Sequence, residues 1–341
     1  MLNIKRVIPY TKKEWVNSIN DFLTTYDFVN SEELIKLEEK VCSYVNRKYA
    51  IAVSSGTSGI FMSLYMIQKE KGEVILSNYG YPSVYNACRV LGLKPVPVDI
   101  KKETLSIDPV LVERAINKNT IAVVNIGNNA VVGRDIIELK NICKNNNLVF
   151  VEDACSSLLQ KFNGSNAGSF GDVSIIGFSP GKPLFSGEGG IILTDDKNLH
   201  DKLTTFRYPT IENISLNFSL SPILAAYLLP QFDTINEVIE IRERVHHLYK
   251  ENGISVFEEE GVTNRYGSIM YLTKNASNVH ETLDKYGIGN KYQFYPLIQD
   301  DLPICNEVRN SLIDLPFHHN INERQIKSIS GIIRTVENEC I

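Results

Sequence analysis

The sequence of 341 residues has no apolar run that approaches the roughly 18 residues needed by a membrane-spanning helix. Its first residues, Met1 to Arg6, also lack the apolar core of a secretory signal. We therefore expect no membrane partner, no export signal and a cytoplasmic location.

Cysteine is sparse and scattered, because the chain has six cysteines and no two of them form a CxxC pair. The spacing typical of zinc and iron–sulfur ligands is missing, so we predict no metal site. The simplest interpretation is a set of reduced, mostly buried thiols. They are Cys42, Cys88, Cys143, Cys155, Cys305 and Cys340.

An excess of positive charge is also missing. The formal net charge is −5, and no long basic stretch offsets it, so we predict no nucleic-acid partner. Hydrophobic residues make up 43% and charged residues 22% of the chain, which are the proportions of a soluble globular protein.

Between about residues 30 and 200, helical patterns alternate with short apolar runs, which is typical of βαβ units and a mostly parallel sheet. The runs are apolar throughout, as expected for strands covered by helices on both faces. The first helix is expected to open at the capping pair Asn30 and Glu33. Further helices are predicted at 56–67, 82–91, 108–117 and 135–145, and strands at 49–53, 73–76, 94–98, 121–124, 148–152, 172–177 and 190–194.

Beyond about residue 218 the pattern changes to two long helices, near 223–229 and 237–249, followed by mixed strand and helix signals. A chain of this length exceeds one ordinary core. We predict a large domain at residues 1–235 and a smaller α+β domain at residues 236–341.

Two segments of the first region carry side chains suited to chemistry. Val149 to Asp153 is an apolar strand that ends on an acidic residue, and ligands of open α/β sheets lie beyond the carboxyl ends of strands. A helix N-cap is the plainer interpretation of that aspartate. Lys182 follows Ser179-Pro180-Gly181, where small neighbours permit close approach to a cofactor, although most lysines are simply solvated.

Two other segments are weaker alone. Ser54 to Gly59 lies between a predicted strand and helix and could cradle a phosphate, but it could also be an ordinary loop. Tyr81 could stack on a flat ring or simply pack on the surface. Taken together, the four segments supply what pyridoxal 5'-phosphate (PLP) requires: an amine to form the aldimine and a carboxylate to keep the pyridine nitrogen protonated.

The chain resembles the DegT/DnrJ/EryC1/StrS family of PLP-dependent sugar aminotransferases, from about Ile8 to Val336. The motifs that carry the resemblance are Ser54–Gly59, Gly92–Ile100, Val151–Ala154, Gly168–Asp172 and Ser179–Lys182 leading into Gly187–Gly190. The resemblance implies an α/β protein of PLP-dependent transferase fold type I (aspartate-aminotransferase-like). Its mostly parallel central sheet would have helices on both faces and be followed by the smaller C-terminal α+β domain.

The resemblance also implies roles for particular residues. Lys182 would be the Schiff-base lysine and proton shuttle, and Asp153 would pair with the pyridine nitrogen. The remaining cofactor-binding residues would be Gly56, Thr57 and Ser179 at the phosphate, Tyr81 on the ring, Ser156 near the phenolic oxygen and Asn217 reaching the phosphate of a neighbouring subunit. A homodimer with shared active sites follows from the role of Asn217.

The chain departs from the family on the side of the substrate. Ser156 replaces a usual glutamine, Asn125 stands where histidine is common, and Gly127-Asn128 replaces a usual tyrosine and glycine. The stretch from Thr24 to Asn30 lacks the family's glycine-containing loop. Arg207 is a candidate for binding the carboxylate of the amino donor, although a solvated arginine is the plainer interpretation.

The function implied is transfer of an amino group from an amino acid, with L-glutamate as the expected donor, to a keto-sugar linked to a nucleotide, for surface polysaccharide or amino-sugar biosynthesis. One alternative is a PLP-dependent dehydratase, which carries histidine where this chain has Lys182. Others are a lyase or an aminotransferase acting on a substrate that is not a nucleotide sugar, and a scaffold relative without activity.

Overall fold

The computed structural model describes residues 2–24, 32–127, 133–208, 211, 215–256, 260–263 and 267–339. The elements up to residue 194 are α1 (Lys13–Leu23), α2 (Glu32–Val45), β1 (Tyr49–Val53), α3 (Gly56–Ile67), β2 (Glu73–Ser77), α4 (Ser83–Val90), β3 (Lys94–Val98), α5 (Pro109–Ala115), β4 (Thr120–Ile126), α6 (Asp135–Asn145), β5 (Val149–Asp153), β6 (Lys161–Phe162), β7 (Ser165–Asn166), β8 (Val173–Gly177) and β9 (Gly190–Thr194).

The later elements are α7 (Lys197–Arg207), α8 (Pro222–Asp233), α9 (Ile235–Glu251), β10 (Val262–Thr263), β11 (Ile269–Leu272), α10 (Ala276–Lys285), β12 (Lys291–Tyr292), α11 (Pro303–Ser311), β13 (Leu312–Leu315) and α12 (Glu323–Glu339). Local signals set several helix starts. Asp108 accepts the N–H of Val110 ahead of α5, and Asp196 accepts two N–H groups ahead of α7.

A seven-stranded sheet in the order β1-β9-β8-β5-β4-β2-β3 forms the centre of the molecule. Its neighbours from β8 to β3 pair in parallel, and β9 alone runs antiparallel, between β1 and β8. The strands β1, β2, β4, β5 and β8 therefore end at one edge of the sheet, where β9 begins. Residues that follow these strand ends meet there.

Helices cover both faces of this sheet. Side chains alternate between the faces along each strand, so that Val123 packs into one apolar cluster and Ala122 and Val124 into the other. The first cluster draws on α2, α5, α6 and α8, and the second on α3, α4 and α7. This arrangement explains why the strands are apolar on both sides.

A second, three-stranded antiparallel sheet, in the order β11-β13-β12, packs with α9, α10 and α12 around its own apolar cluster. The N-terminal segment lies against this part of the chain. Ile4 is buried in the same cluster, and the backbone N–H of Phe317 donates to the carbonyl of Arg6 at 2.8 Å. The division between residues 235 and 236 stays a prediction.

The predicted strands and helices of the first region agree with the structure to within a few residues at each end. The sequence does not predict the helices α1 and α7 or the short strands β6 and β7, and it sets no bounds for α10, α11 and α12. The capping residue Asn30 lies outside the described residues, as do most of the residues from Thr24 to Asn30. Within the described ranges, no helix combines the length and apolar character that crossing a bilayer requires.

Candidate active site

A cavity of about 220 Å³ lies at the edge where the parallel strands end. We call it the cofactor cavity. It brings together seven of the eight predicted site residues, contributed by segments that follow β1, β2, β5 and β8. The seven are Gly56, Thr57, Tyr81, Asp153, Ser156, Ser179 and Lys182.

Asp153 ends β5 and is 4% exposed. One carboxylate oxygen accepts the backbone N–H of Cys155 at 3.1 Å. Burial raises the pKa of this carboxyl, while the hydrogen bond from Cys155 and the charge of Lys182 oppose the shift. Because the carboxylate is buried, a nearby positive group would strongly stabilise its ionised form. The described residues place no basic side chain within ion-pair distance of it.

The neighbouring Glu152 behaves differently, although it is equally buried. Its carboxylate accepts the N–H groups of Gly168, Phe170 and Gly171 and the hydroxyl of Ser174, at 2.7 to 3.1 Å. Adjacent residues of a strand point to opposite faces, so one acid stabilises the loop before β8 and the other faces the cavity.

Lys182 lies in the loop between β8 and β9 and is only partly accessible to solvent. Its ammonium donates to the hydroxyl of Ser156 at 2.5 Å. Burial lowers the pKa of Lys182, the charges of Cys155 and Asp153 oppose this, and Arg242 adds to the lowering. A lysine in this setting reaches its neutral, nucleophilic form more easily than a solvated one does.

The N-terminus of α3 borders the cavity. Ser55 caps the helix, and its side chain and that of Ser58 satisfy each other's backbone N–H groups. The N–H groups of Gly56 and Thr57 have no partner within a helix, which suits them to an anionic ligand. Packing here is tight, since a Cβ atom on Gly56 would lie 2.7 Å from the sulfur of Cys155.

The other predicted residues fall into two groups. Ser179 and Tyr81 line the cavity, and Tyr81 is 58% exposed at its rim. Asn217 is exposed and is not among the lining residues of this single chain. Its predicted role toward a neighbouring subunit stays a prediction.

Two residues singled out on the substrate side lie elsewhere. Asn125 is buried in β4 and accepts the hydroxyl of Ser106 at 2.9 Å, although the next residues, Ile126 and Gly127, line the cavity. Arg207 is neither solvated nor in the cavity. It is 8% exposed and forms an ion pair with Glu38. Asn128 lies outside the described residues.

A second cavity, of about 110 Å³, lies on the other side of Lys182. We call it the Arg6 cavity, and it shares Ser156, Lys182 and Tyr295 with the cofactor cavity. Arg6 of the N-terminal segment and Asp314 of β13 also line it, and their side chains are hydrogen-bonded.

Sequence reasoning missed Tyr295, Arg6 and Asp314, which approach Lys182 from the two ends of the chain. One signal was available in the sequence, because Asp314 interrupts the apolar run of β13. An acidic residue inside such a strand is costly unless it is paired or functional.

Comparison with known proteins agrees with this architecture. A model of the DegT/DnrJ/EryC1/StrS aminotransferase family matches residues 9–334. The chain is 26% identical to GDP-perosamine synthase of Escherichia coli O157:H7, over 92% of each chain. It is 27% identical to the UDP-2-acetamido-2-deoxy-3-oxo-D-glucuronate aminotransferase of Pseudomonas aeruginosa, over 90% of this chain and 91% of that one.

Among solved structures, a protein of Streptococcus pneumoniae in its PLP form superposes with a TM-score of 0.92 at 18% identity, covering 99% of this chain and 100% of that one. The likeness shows the fold and confirms the predicted fold type I. The family model covers nearly the whole chain, and the resemblance inferred from the motifs is confirmed. The chain therefore belongs to the DegT/DnrJ/EryC1/StrS aminotransferase family and is an enzyme of the aminotransferase type.

Proposed function

We propose that this chain is a PLP-dependent aminotransferase that moves an amino group from L-glutamate to a keto-sugar linked to a nucleotide. The names of its relatives support the sugar, because they refer to a GDP-linked and a UDP-linked sugar. The observation that carries the proposal is the meeting of Lys182 and Asp153 in one cavity.

The residues of the cofactor cavity fit PLP. A buried carboxylate at Asp153, without a basic side chain at ion-pair distance among the described residues, suits a ring nitrogen that carries a proton. The N-terminus of α3 suits a phosphate. Lys182 would hold the aldehyde carbon covalently, Gly56, Thr57 and Ser179 would hold the phosphate, and Tyr81 and Ser156 would border the ring.

When bound, PLP supplies an electron-withdrawing ring that accepts the electron pair released at the α-carbon of the amino acid. The protein provides the proton transfers and the orientation. The Lys182 amine would take the proton from the α-carbon of the donor and deliver it to the cofactor carbon that had carried the aldehyde. The hydroxyl of Ser156, 2.5 Å away, would orient that amine. General acid–base catalysis of this kind is typically worth about 10² to 10⁴ in rate.

The rival activities differ at one residue or in one product. A dehydratase of this family carries histidine at the position of Lys182, so the lysine favours transamination. A lyase acting on another substrate would use the same lysine, but it would not convert glutamate to 2-oxoglutarate.

The test is to mix the purified holoenzyme with glutamate and a panel of GDP- and UDP-linked keto-sugars while recording cofactor absorbance and 2-oxoglutarate. We expect glutamate alone to change the absorbance and release one equivalent of 2-oxoglutarate, and a matching keto-sugar to reverse the change. Absorbance that stays constant with glutamate, or turnover of a substrate without any 2-oxoglutarate, would contradict the proposal.

We also propose a cytoplasmic homodimer with shared active sites, in which the exposed Asn217 reaches the phosphate of the partner's cofactor. Mixing Lys182→Ala and Asn217→Ala variants tests the sharing. If sites are shared, subunit exchange creates one intact site per mixed dimer and restores part of the activity. Failure of the mixture to exceed the sum of its two components would contradict sharing.

A further inference from the structure

We propose that the Arg6 cavity binds the carboxylate of the amino donor, with Arg6 as the recognising residue and Asp314 as the residue that positions it. This inference rests on the proposed aminotransferase function and specifies how the donor is bound. The Arg6 cavity shares Lys182 with the cofactor cavity and thus adjoins the reacting amine.

Arg6 is held in place on three sides. Its Nη1 donates to the carboxylate of Asp314, its guanidinium carbon lies 5.5 Å from the ring centroid of Phe294, and its backbone carbonyl accepts the N–H of Phe317 at 2.8 Å. A guanidinium has five N–H donors, so the pairing with Asp314 leaves donors for a second carboxylate. The side chain of Arg6 is 31% exposed, while that of Asp314 is 2% exposed.

The charge around the cavity favours an anion. Among its lining residues, Arg6 is a cation, Asp314 is a carboxylate, and Lys182 is the amine that would hold the cofactor in the holoenzyme. Two more cations lie behind the wall. Arg242 donates to the carbonyl of Gly181 at 3.3 Å, and the Lys291 ammonium lies 4.2 Å from the ring centroid of Phe294. A small carboxylate entering here would find an excess of positive charge in a partly desolvated space.

Bond connectivity decides between the two anionic substrates. In an α-amino acid, the carboxylate is attached to the same carbon as the reacting amine, so its binding group must adjoin Lys182. In a nucleotide-linked sugar, the diphosphate is separated from the reacting carbon by part of the sugar ring. A cavity that begins at Lys182 therefore fits the carboxylate of the donor.

Arg207, the candidate from the sequence, does not fit this role. It forms an ion pair with Glu38, donates to the carbonyl of Ala52 at 3.3 Å and lines neither of the two cavities. Its position beneath β1 makes it a structural arginine. Arg242 also lies near Lys182, but it does not line the Arg6 cavity, so Arg6 is the guanidinium within that cavity.

The experiment measures binding of glutarate, a five-carbon dicarboxylate without an amino group, and of UDP to the holoenzyme by calorimetry. Arg6→Gln should raise the Kd for glutarate by about 10- to 100-fold and leave that for UDP within about twofold. Arg6→Lys should give a Kd for glutarate between those of wild type and Arg6→Gln, because lysine keeps the positive charge but lacks the paired N–H donors of a guanidinium. Arg89→Gln is the matched control, since Arg89 also lies over an aromatic ring, that of Tyr85, but on the exposed surface of α4.

Arg6→Gln leaves Asp314 without its partner, so the double variant Arg6→Gln with Asp314→Asn serves if the single variant folds poorly. The double variant should lose glutarate binding to the same extent. Unchanged glutarate affinity, or an equal loss for glutarate and UDP, would overturn the proposal.

The assignment of Arg6 and the proposed function can fail independently. If the wild-type protein binds glutarate through Arg6 but never transaminates, the subsite stands and the function does not. If it transaminates while Arg6→Gln keeps its KM for glutamate, the function stands and the subsite does not.

Discussion

The cofactor cavity and the Arg6 cavity meet at the amine of Lys182 but are lined by different kinds of residues. The first is formed by residues at the ends of five strands of one sheet, and its lining is rich in small residues and backbone N–H groups. The second joins the N-terminal segment to the sheet β11-β13-β12, and the ion pair between the partly exposed Arg6 and the buried Asp314 forms part of its wall.

This difference separates two tasks. Small residues and a helix N-terminus allow close approach of a planar, phosphorylated group. Charged side chains on long stems select an anion by its charge and its position. Lys182 lies at the boundary and belongs to both, whereas Asp153 borders only the first and Asp314 only the second.

The largest effect should come from Lys182→Ala, which alters both cavities. Activity should fall by about 10³-fold or more, because the variant lacks the amine that we propose performs acid–base catalysis and holds the cofactor. Steady-state kinetics with glutamate measures the loss. Lys202→Ala, at an exposed position on α7, is the control and should keep wild-type rates. Substantial activity in Lys182→Ala would refute the assignment.

Asp153→Asn should affect only the cofactor cavity. The amide keeps the shape but loses the charge that, in the proposed mechanism, stabilises a protonated ring nitrogen. We therefore expect kcat to fall by about 10² to 10³, or about 3 to 4 kcal/mol. The Kd for glutarate should stay within about twofold of the wild-type value, because Asp153 does not line the Arg6 cavity.

The control for that variant is its neighbour on β5. Glu152→Gln should lower the melting temperature, since Glu152 holds three backbone N–H groups, but should leave kcat of the folded enzyme almost unchanged. Equal kcat losses in Asp153→Asn and Glu152→Gln would contradict the assignment of a structural role to Glu152 and a catalytic role to Asp153.

Asp314→Asn should reveal a pH dependence that belongs to the Arg6 cavity. Burial raises the pKa of Asp314 to about 6, while Arg6 and Lys291 oppose the shift. As pH rises from about 4 to 6, the unfolded chain loses this proton before the folded protein does, so the group's contribution to stability falls. Two pKa units correspond to about 2.7 kcal/mol.

The measurement is denaturant unfolding of wild type and Asp314→Asn between pH 4 and pH 7. The free energy of unfolding of the wild type minus that of the variant should decrease with rising pH by up to about 2.7 kcal/mol. A difference that grows with pH would show that Arg6 lowers the pKa of Asp314 more than burial raises it.

Gly56→Ala should produce the smallest effect of the series and act on the cofactor cavity alone. The added Cβ would lie 2.7 Å from the sulfur of Cys155, so we expect destabilisation of about 1 to 2 kcal/mol and weaker cofactor binding. Adding Cys155→Ala should recover most of the loss, as coupled neighbours do. Gly331→Ala, in the open surroundings of α12, should instead stabilise by about 0.5 to 1 kcal/mol.

The sequence predicted the cofactor cavity far better than the Arg6 cavity, for a physical reason. Local periodicity marks strands such as Val149–Asp153, and parallel strands bring their carboxyl ends together by topology alone. Arg6 and Asp314 are separated by 308 positions, and no periodicity links them. Only the packing of the N-terminal segment on the C-terminal sheet brings them beside Lys182.

Helices without a strong motif were missed for a related reason. The helix α7 begins at Lys197, shortly after β9, and its sequence is polar over most of its length. Its buried residues, such as Leu203 and Phe206, are few, so that the apolar stripe is weak. Packing against the central sheet, rather than a periodic pattern in its own sequence, stabilises this helix.

The central claim is that the Lys182 amine binds the aldehyde of the cofactor. Borohydride reduction of the holoenzyme, followed by proteolysis and mass spectrometry, tests it directly, because reduction makes that bond permanent. We expect one pyridoxyl adduct per chain, on the peptide that contains Lys182. An adduct on another lysine, or none in a protein with bound PLP, would contradict the account.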